Sequence, residues 1–298
     1  MSDPIRYRAT HVTRYLYGQP VSQCLSEARL TPLSTSNQRL LDFCLAVDPL
    51  PSMLDRRRDY FGNEVHALSI SQTHQRFVIT AVSTVEVCPL AAAPLPGVSW
   101  EETGALLAEH PDDEILAAYE FTFESPFVTL IPELADWARP SFQPGRPVAE
   151  AVQELSCRVH DEFFYRPKST SIDMPLAEVF KNRQGVCQDF SHILIGALRS
   201  FRLAARYVSG YLRSDTEYQG AEASHAWVSV FVPGFGWLDL DPTNNVIPRQ
   251  GHVTVALGRD YGDVTPVKGV ALGGATQTVE VEVKVSETES IQTPATTM

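Results

Sequence analysis

In the second half of the chain, one apolar helix leads directly into three strand-like segments. From Cys187 to Phe201 the apolar side chains recur at the three- and four-residue spacing of a buried helix. β-Branched and aromatic residues then dominate residues 205–212, 225–232 and 236–241. A helix followed by several consecutive strands is typical of an α+β arrangement, whereas a parallel sheet needs helices between its strands. We therefore predict an α+β core.

The first part of the chain predicts a separate β-rich domain. Short β-branched and aromatic segments follow one another up to about residue 90, separated by turn signals such as Gly18-Gln19-Pro20. Prolines among alanines then indicate a linker. Near the other end of the chain, the alternation of residues 278–285 predicts a half-buried strand. The expected organisation is a sandwich-like β-rich N-terminal domain (1–90), a Pro/Ala linker (91–110), a core (111–250), a C-terminal β segment (251–285) and a disordered tail (286–298).

Composition and charge exclude several functional classes. With 298 residues, a formal net charge of −12 and a pI near 5.1, the chain lacks the basic surface that binds nucleic acid or an anionic membrane. It shows no signal-peptide pattern and no apolar run of about 20 residues, so we expect a cytoplasmic protein. Its five cysteines form neither a disulfide framework nor a zinc motif, and no calcium-loop pattern occurs. We expect no metal and no cofactor; the sequence leaves the oligomeric state open.

Cys187 is expected to lie at the first turn of the apolar helix, because Gly185 breaks any helix that enters from Lys181. A helix N-terminus stabilises negative charge and therefore favours the thiolate, which is the nucleophilic form of cysteine. The free backbone N–H groups there can also stabilise an oxyanion. The position predicts a reactive thiol. The other cysteines (Cys24, Cys44, Cys88 and Cys157) are interpreted as ordinary structural residues.

His225 and a following aspartate are expected to meet across a hairpin. His225 opens the strand 225–232, and residues 233–236 form a short turn into the next strand. Asp239 and Asp241 point the same way on an ideal strand, so periodicity does not choose between them. Asp241 lies nearer the strand end, which pairs more naturally with the start of the histidine strand. A cysteine, a histidine and a carboxylate in this order can act as nucleophile, base and orienting group.

His192 is the alternative base. It lies on the same helix as Cys187, five residues on, which places it more than one turn away and poorly aimed at the thiol. We interpret it as a structural residue or as one that supports the site from behind.

Four segments together resemble the bacterial transglutaminase-like superfamily, many of whose members are assigned as cysteine proteases. The segments are Gly-Val-Cys-Gln-Asp-Phe-Ser-His at 185–192, Ala-Arg-Tyr-Val-Ser-Gly-Tyr-Leu at 205–212, Ser-His-Ala-Trp-Val at 224–228 and Gly-Trp-Leu-Asp-Leu-Asp-Pro-Thr-Asn at 236–244. Residues 11–17 and 59–63 resemble the β-rich region that precedes this core, and residues 255–266 resemble its C-terminal segment. Ser191 departs from the alanine usual in the family, and Phe201-Arg202 from a Leu-Gly pair.

The resemblance implies a papain-like or transglutaminase-like core in which Cys187 is the nucleophile, His225 the base and Asp241 the third member. It decides for Asp241 over Asp239. Three further residues are candidates for contact with the substrate or the oxyanion: Tyr165, Gln188 and Trp227. For Tyr165 and Trp227, ordinary core packing is an equal or stronger interpretation. For Gln188, the alternative interpretation is a helix residue that faces solvent.

The expected reaction is amide acyl transfer through a thioester on cysteine, with a peptide, isopeptide or γ-glutamyl amide as substrate. Hydrolysis is favoured because the resemblance is to bacterial members of the family. Transamidation to an amine is the first alternative. A non-catalytic binding or assembly protein that keeps the fold is the second, and an arylamine acetyltransferase-like enzyme is the third.

Overall fold

The computed structural model describes residues 3–89, 94–109 and 111–288. Residues 91–93 and 110 of the expected linker, and residues 289–298 of the expected tail, lie outside the described residues. None of the described helices is long and apolar enough to cross a membrane. The expected cytoplasmic location stays a prediction.

The N-terminal residues build one antiparallel sheet around a very long first strand. Its strands in chain order are β1 (Ile5–Ala28), β2 (Gln38–Asp48), β3 (Met53–Arg58), β4 (Glu64–Ile70) and β5 (His74–Val87). The spatial order is β2-β5-β1-β4-β3. β1 pairs with β5 along its first half and with β4 along its second half. The pairing shifts register between Leu16 and Val21, around Gly18 and Pro20, because proline has no N–H to give to the ladder.

The helical part begins earlier than the sequence indicates. Its elements are α1 (Trp100–Glu109), α2 (Asp113–Tyr119), α3 (Pro132–Ala138), α4 (Val148–Glu162), β6 (Phe164–Tyr165), α5 (Leu176–Asn182), β7 (Gln184–Gly185) and α6 (Cys187–Ser200), with 3₁₀ turns at Glu120–Thr122 and Arg139–Ser141. The expected linker 91–110 is therefore wrong over Trp100–Glu109, which form α1. A capping box starts α1: Ser99 Oγ accepts from Glu102 N at 3.2 Å, and Glu102 Oε2 accepts from Ser99 N at 3.0 Å.

The core sheet lies against α6. After α6 come β8 (Ala205–Leu212), β9 (His225–Val232), β10 (Gly236–Leu240) and β11 (His252–Gly258), in the spatial order β10-β9-β8-β11. Ala226, Val228 and Val230 of β9 belong to the same buried cluster as Leu194 and Leu198 of α6. Since successive side chains of a strand point to opposite faces, His225 lies on the other face of β9.

The expected C-terminal segment 251–285 does not form a unit of its own. Its first strand, β11, pairs with β8 of the core sheet. The short helix α7 (Tyr261–Val264) follows β11. After it, β12 (Val267–Gly273) pairs with the second half of β1, and β13 (Gln277–Glu287) pairs with its first half. These two strands pair with the distant β1 because the free side of β1 would otherwise present unpaired N–H and C=O groups. β13 also takes in Ser286 and Glu287 of the expected tail.

Two side-chain amides of the N-terminal sheet hold β11. Gln38 donates to Thr254 O at 2.8 Å and accepts from Thr254 N at 2.9 Å. Asn63 donates to Leu257 O at 2.7 Å and accepts from Leu257 N at 2.8 Å. Each amide imitates a neighbouring strand, so together they satisfy an edge of the core sheet.

Candidate active site

Cys187 is the first residue of α6, as the sequence predicts. Val186 before it is extended, and its N–H donates to Asp189 Oδ2 at 2.8 Å, which caps the helix start. Thr170 Oγ1 donates to the same oxygen at 2.7 Å. Gly185 is required because a Cβ there would lie 2.6 Å from the Asp189 side chain. The thiol is half-buried at a helix N-terminus, where the backbone favours negative charge.

His225 and Asp241 form a buried hydrogen-bonded pair. Their closest atoms, Nε2 and Oδ2, are 2.8 Å apart, and both side chains are shielded from solvent. Asp241 follows β10 directly and bonds with Val246 across the turn, with N to O distances of 2.9 and 3.3 Å. Thr243 N donates to Asp241 Oδ1 at 3.0 Å, and Asn244 Nδ2 donates to Oδ2 at 2.9 Å. The turn after the strand therefore holds the carboxylate on the histidine.

The two partners perturb each other in opposite directions. Burial alone would lower the pKa of His225, but the charge of Asp241, the hydrogen bond to it and the neighbouring Cys187 outweigh burial and raise the pKa to about 10. Burial would raise the pKa of Asp241, but His225 and its other donors hold that pKa well below its usual range. The site thus favours an imidazolium between a carboxylate and the cysteine sulfur.

The structure places Asp241, and not Asp239, on His225. Asp239 pairs in register with Ser229. Burial raises the pKa of Asp239, and the nearby charge of Arg206 offsets only part of that rise. Asp239, Arg206 and Trp237 line a separate cavity of about 650 Å³.

Tyr165 lies near Nδ1 of His225, the ring nitrogen that does not face Asp241. A Cβ built on Gly220, whose φ is +89°, would be 2.8 Å from His225 Nδ1 and 3.6 Å from Tyr165 Oη. The hydroxyl and Nδ1 therefore border the same small space. Burial, with a smaller effect of Cys187, raises the pKa of Tyr165 to about 12. At neutral pH the hydroxyl keeps its proton and can donate it in a hydrogen bond.

The other two candidates differ in outcome. Gln188 Nε2 donates to Ile172 O at 3.1 Å, so this side chain reaches the loop beside the thiol, and its contact with substrate stays a prediction. Trp227 is fully buried, and its ring stacks on His225 at 6.2 Å between centroids. Trp227 therefore packs in the core, which was the stronger interpretation of this residue. Its candidate contact with substrate is corrected, because a side chain without exposed surface supports the histidine from behind.

His192 has the structural position that the sequence indicates. It is buried on α6, and its Nε2 accepts from Tyr261 N at 3.2 Å. Its ring also stacks on Phe127 at 5.8 Å. The residue holds α7 against α6.

Several residues near the thiol escape sequence reasoning. Tyr207 and Tyr261 lie near enough to Cys187 that its charge adds to the effect of burial in raising the pKa of each phenol. His252 Nε2 is 3.1 Å from Asp241 Oδ2. The only sequence signal for His252 is its place at the start of an alternating segment, which does not show what that strand faces.

His225, Asp241 and His252 bring three atoms of metal-ligating type within 4.8 Å of one another. Their short contacts to one another satisfy these atoms as hydrogen-bond partners. The expectation that the chain needs no metal or cofactor stays a prediction.

A cleft of about 470 Å³ lies next to this site, between the core and the N-terminal sheet. Tyr261 and Ser224, the residue before His225, line it on the core side. Tyr15, Tyr17 and Phe77 line it on the sheet side, with the Tyr15 and Phe77 rings stacked at 5.3 Å. Its lining combines apolar and polar side chains, as ligand-binding clefts do.

Two family models match the chain. The bacterial transglutaminase-like N-terminal region matches residues 7–86, and the transglutaminase-like superfamily core matches residues 135–242. An uncharacterized protein of Mycobacterium tuberculosis (strain ATCC 25618 / H37Rv) is 37% identical over 287 residues, which cover 91% of this chain and 88% of that protein. A protein-glutamine gamma-glutamyltransferase of Pseudomonas aeruginosa is 32% identical over 126 residues, which cover 39% of this chain and 18% of that protein.

A solved structure from Cytophaga hutchinsonii, named as a candidate cysteine protease, has the same fold. It aligns with a TM-score of 0.76 over 97% of this chain and 92% of that chain, at 20% identity. The expected fold class, an α+β papain-like or transglutaminase-like core after a β-rich N-terminal region, is confirmed. With its core and N-terminal region both matched, and a relative aligned along nearly its whole length, the chain belongs to the transglutaminase-like superfamily.

Proposed function

We propose that this protein transfers the acyl group of an amide through a thioester on Cys187, and that water is the usual acceptor. The observation that carries the proposal is the buried His225–Asp241 pair, 2.8 Å apart, beside a cysteine at a helix N-terminus. A nucleophile, a base and an oriented carboxylate are the parts that such chemistry needs.

In the proposed first step, the Cys187 thiolate attacks the amide carbonyl carbon. The oxyanion that forms is stabilised by backbone N–H groups at the start of α6 and by the Tyr165 hydroxyl. Nε2 of His225 is held by Asp241, so Nδ1 gives its proton to the leaving nitrogen. The C–N bond breaks, an amine departs and a thioester remains.

In the second step, water attacks the thioester while His225 Nδ1 takes up its proton. The C–S bond breaks, the carboxylic acid leaves and the thiolate–imidazolium pair returns. Hydrolysis is favoured over transamidation because Cys187 is partly exposed, so water can reach the thioester.

A peptide or protein amide is the proposed substrate class. The cleft of about 470 Å³ next to the site can hold residues that flank the scissile bond. The protein-glutamine gamma-glutamyltransferase that matches part of this chain is named for a reaction at protein glutamine, which supports this class.

The test is incubation with a panel of peptides containing glutamine and γ-glutamyl bonds, with and without a primary amine, followed by mass spectrometry. We expect free acid products from the parent protein and none from Cys187→Ser, with Cys44→Ser as the matched control because Cys44 lies exposed on β2. Incorporation of the amine in place of water would instead establish the transamidase alternative.

Thiol labelling separates an enzyme from a binding protein that keeps the fold. Iodoacetamide near neutral pH is expected to modify Cys187 faster than the other cysteines, and His225→Ala is expected to remove that preference. Equal, slow labelling of every cysteine would overturn the enzymatic proposal.

A further inference from the structure

Asp241 holds a second imidazole besides that of His225. His252 is the first residue of β11, is buried, and places Nε2 3.1 Å from Asp241 Oδ2. The same oxygen lies 2.8 Å from His225 Nε2. A carboxylate only accepts hydrogen bonds, so each imidazole must present an N–H to it. One oxygen thus joins two histidines from different strands.

The fold builds this arrangement from three strands. β11 pairs with β8, where His252 lies opposite Leu212, and β8 pairs with β9, where Gly210 lies opposite His225. A Cβ on Gly210 would lie 2.4 Å from the Trp227 ring, so glycine there leaves room for the indole. Trp227 stacks on His225 and meets His252 edge-on at 5.2 Å. The indole keeps the two imidazoles at a fixed separation.

We propose that His252 is a positioning residue. Its N–H fixes the Asp241 carboxylate and stabilises part of the negative charge that would otherwise act on His225. The proposal rests on the proposed function, since it assigns a role within that same site. His252 reaches the reacting atoms only through Asp241 and His225. The charged and titratable groups around it are Asp241, His225, Asp239, Arg249 and Tyr218.

The hydrogen bond from His252 to Asp241 affects how strongly His225 holds its proton. Without the His252 N–H, one oxygen of a buried carboxylate loses a donor and becomes more basic. The carboxylate then holds the His225 imidazolium more tightly, so the proton passes less readily to the leaving amine. Acylation slows, while binding of the peptide in the cleft is unchanged.

The experiment compares His252→Phe, which keeps a ring against Trp227 but has no N–H, with His252→Gln, which restores a donor. For His252→Phe we expect kcat to fall by about 10-fold or more with KM within about twofold, as for other residues that orient a catalytic group. The pH at which iodoacetamide labelling of Cys187 is half-maximal should also move. For His252→Gln we expect kcat within about threefold of the parent.

His66→Phe is the matched control. His66 and His252 are both 7% exposed, but His66 lies on β4 of the N-terminal sheet. This variant is expected to change the stability and to leave kcat per folded molecule unaltered. If His252→Phe behaved like His66→Phe, or if His252→Gln folded and were no better than His252→Phe, the proposal would be overturned.

A second measurement stands even if His252→Phe does not fold. Proton NMR of protein with ¹⁵N-labelled histidine should show two downfield N–H protons, from His225 and His252. His252→Gln should remove one of them and shift the other; an unmoved His225 signal would rule out the proposed role. Because this readout needs no substrate, it separates failure of the His252 proposal from failure of the proposed function.

Discussion

At the scale of single residues, the Asp241 carboxylate is the most constrained group of the site. Thr243 N and Asn244 N donate to Oδ1 at 3.0 and 3.2 Å, and Asn244 Nδ2 and two imidazoles contact Oδ2. These donors stabilise the ionised form and fix the plane of the carboxylate. The carboxylate in turn decides which nitrogen of His225 faces the cysteine.

Replacing Asp241 with asparagine is predicted to reduce kcat strongly. The amide keeps the shape of the carboxylate but loses the charge, so it no longer stabilises the imidazolium or selects its tautomer. The expected decrease is about 10²–10⁴-fold. Steady-state kinetics on peptide hydrolysis measures it, with Asp239→Asn as the control two residues away. If both variants lost a similar fraction of kcat per folded molecule, the role of Asp241 would be contradicted.

At the scale of secondary-structure elements, α6 connects the site to the rest of the core. Its first residue is Cys187, and five residues later His192 accepts a hydrogen bond from the first residue of α7. Arg199 near its end is buried and donates to Ala205 O at 2.9 Å and Arg259 O at 2.7 Å. A helix held at both ends keeps the position of the thiol constant.

His192 is predicted to make the protein less stable in acid. Burial lowers its pKa to about 4, against a nearby Asp260 that acts in the opposite direction. Between about pH 6.5 and pH 4 the unfolded chain therefore binds a proton that the folded protein does not, and stability falls as the pH falls. From pH 7 to pH 4.5 this contributes a loss of about 2 kcal/mol.

The measurement is urea unfolding of the parent and of His192→Gln at both pH values. The glutamine keeps a hydrogen-bond acceptor for Tyr261 N and does not titrate, so the variant should lose about 2 kcal/mol less than the parent on acidification. Any change in packing affects both pH values and cancels in this comparison. An equal loss in the two proteins would show that His192 does not titrate as predicted.

At the scale of the whole molecule, the N-terminal sheet and the core share strands and edges. β12 and β13 leave the core and complete the sheet around β1, while Gln38 and Asn63 of the sheet hold β11 of the core. β11 begins with His252, which contacts Asp241. The N-terminal domain therefore supports the strand that leads to the site.

Asn63→Leu is predicted to lower the free energy of unfolding by about 2–4 kcal/mol, because it removes both hydrogen bonds that the buried Asn63 amide makes with the backbone of Leu257. Urea unfolding measures the change. Gln72→Leu, at an exposed position in the turn between β4 and β5, is the control and should change stability by less than about 0.5 kcal/mol. Equal effects of the two variants would show that the Asn63 bonds do not hold β11.

The positions that the sequence indicates for Cys187, His225 and Asp241 in the fold rest on short-range patterns. The 3.6-residue period and Gly185 place Cys187 at a helix start, and the hairpin 225–241 brings a carboxylate to His225. The choice of Asp241 over Asp239 followed from its place at the strand end and from the family resemblance, and the register Asp239↔Ser229 agrees with it. The α+β class followed from the order of elements along the chain.

The tertiary structure decided everything that depends on which distant segments meet. The alternation of residues 278–285 predicts a half-buried strand, but only Val283 and Val285 of its four valines are buried, in one apolar cluster. Val279 and Val281 are exposed because they line the cleft between the sheet and the core. Gly220 at His225 Nδ1 and His252 on Asp241 are likewise set by the fold. Periodicity fixes which side of an element is apolar; pairing between elements far apart in the chain is decided only when the sheets close against each other.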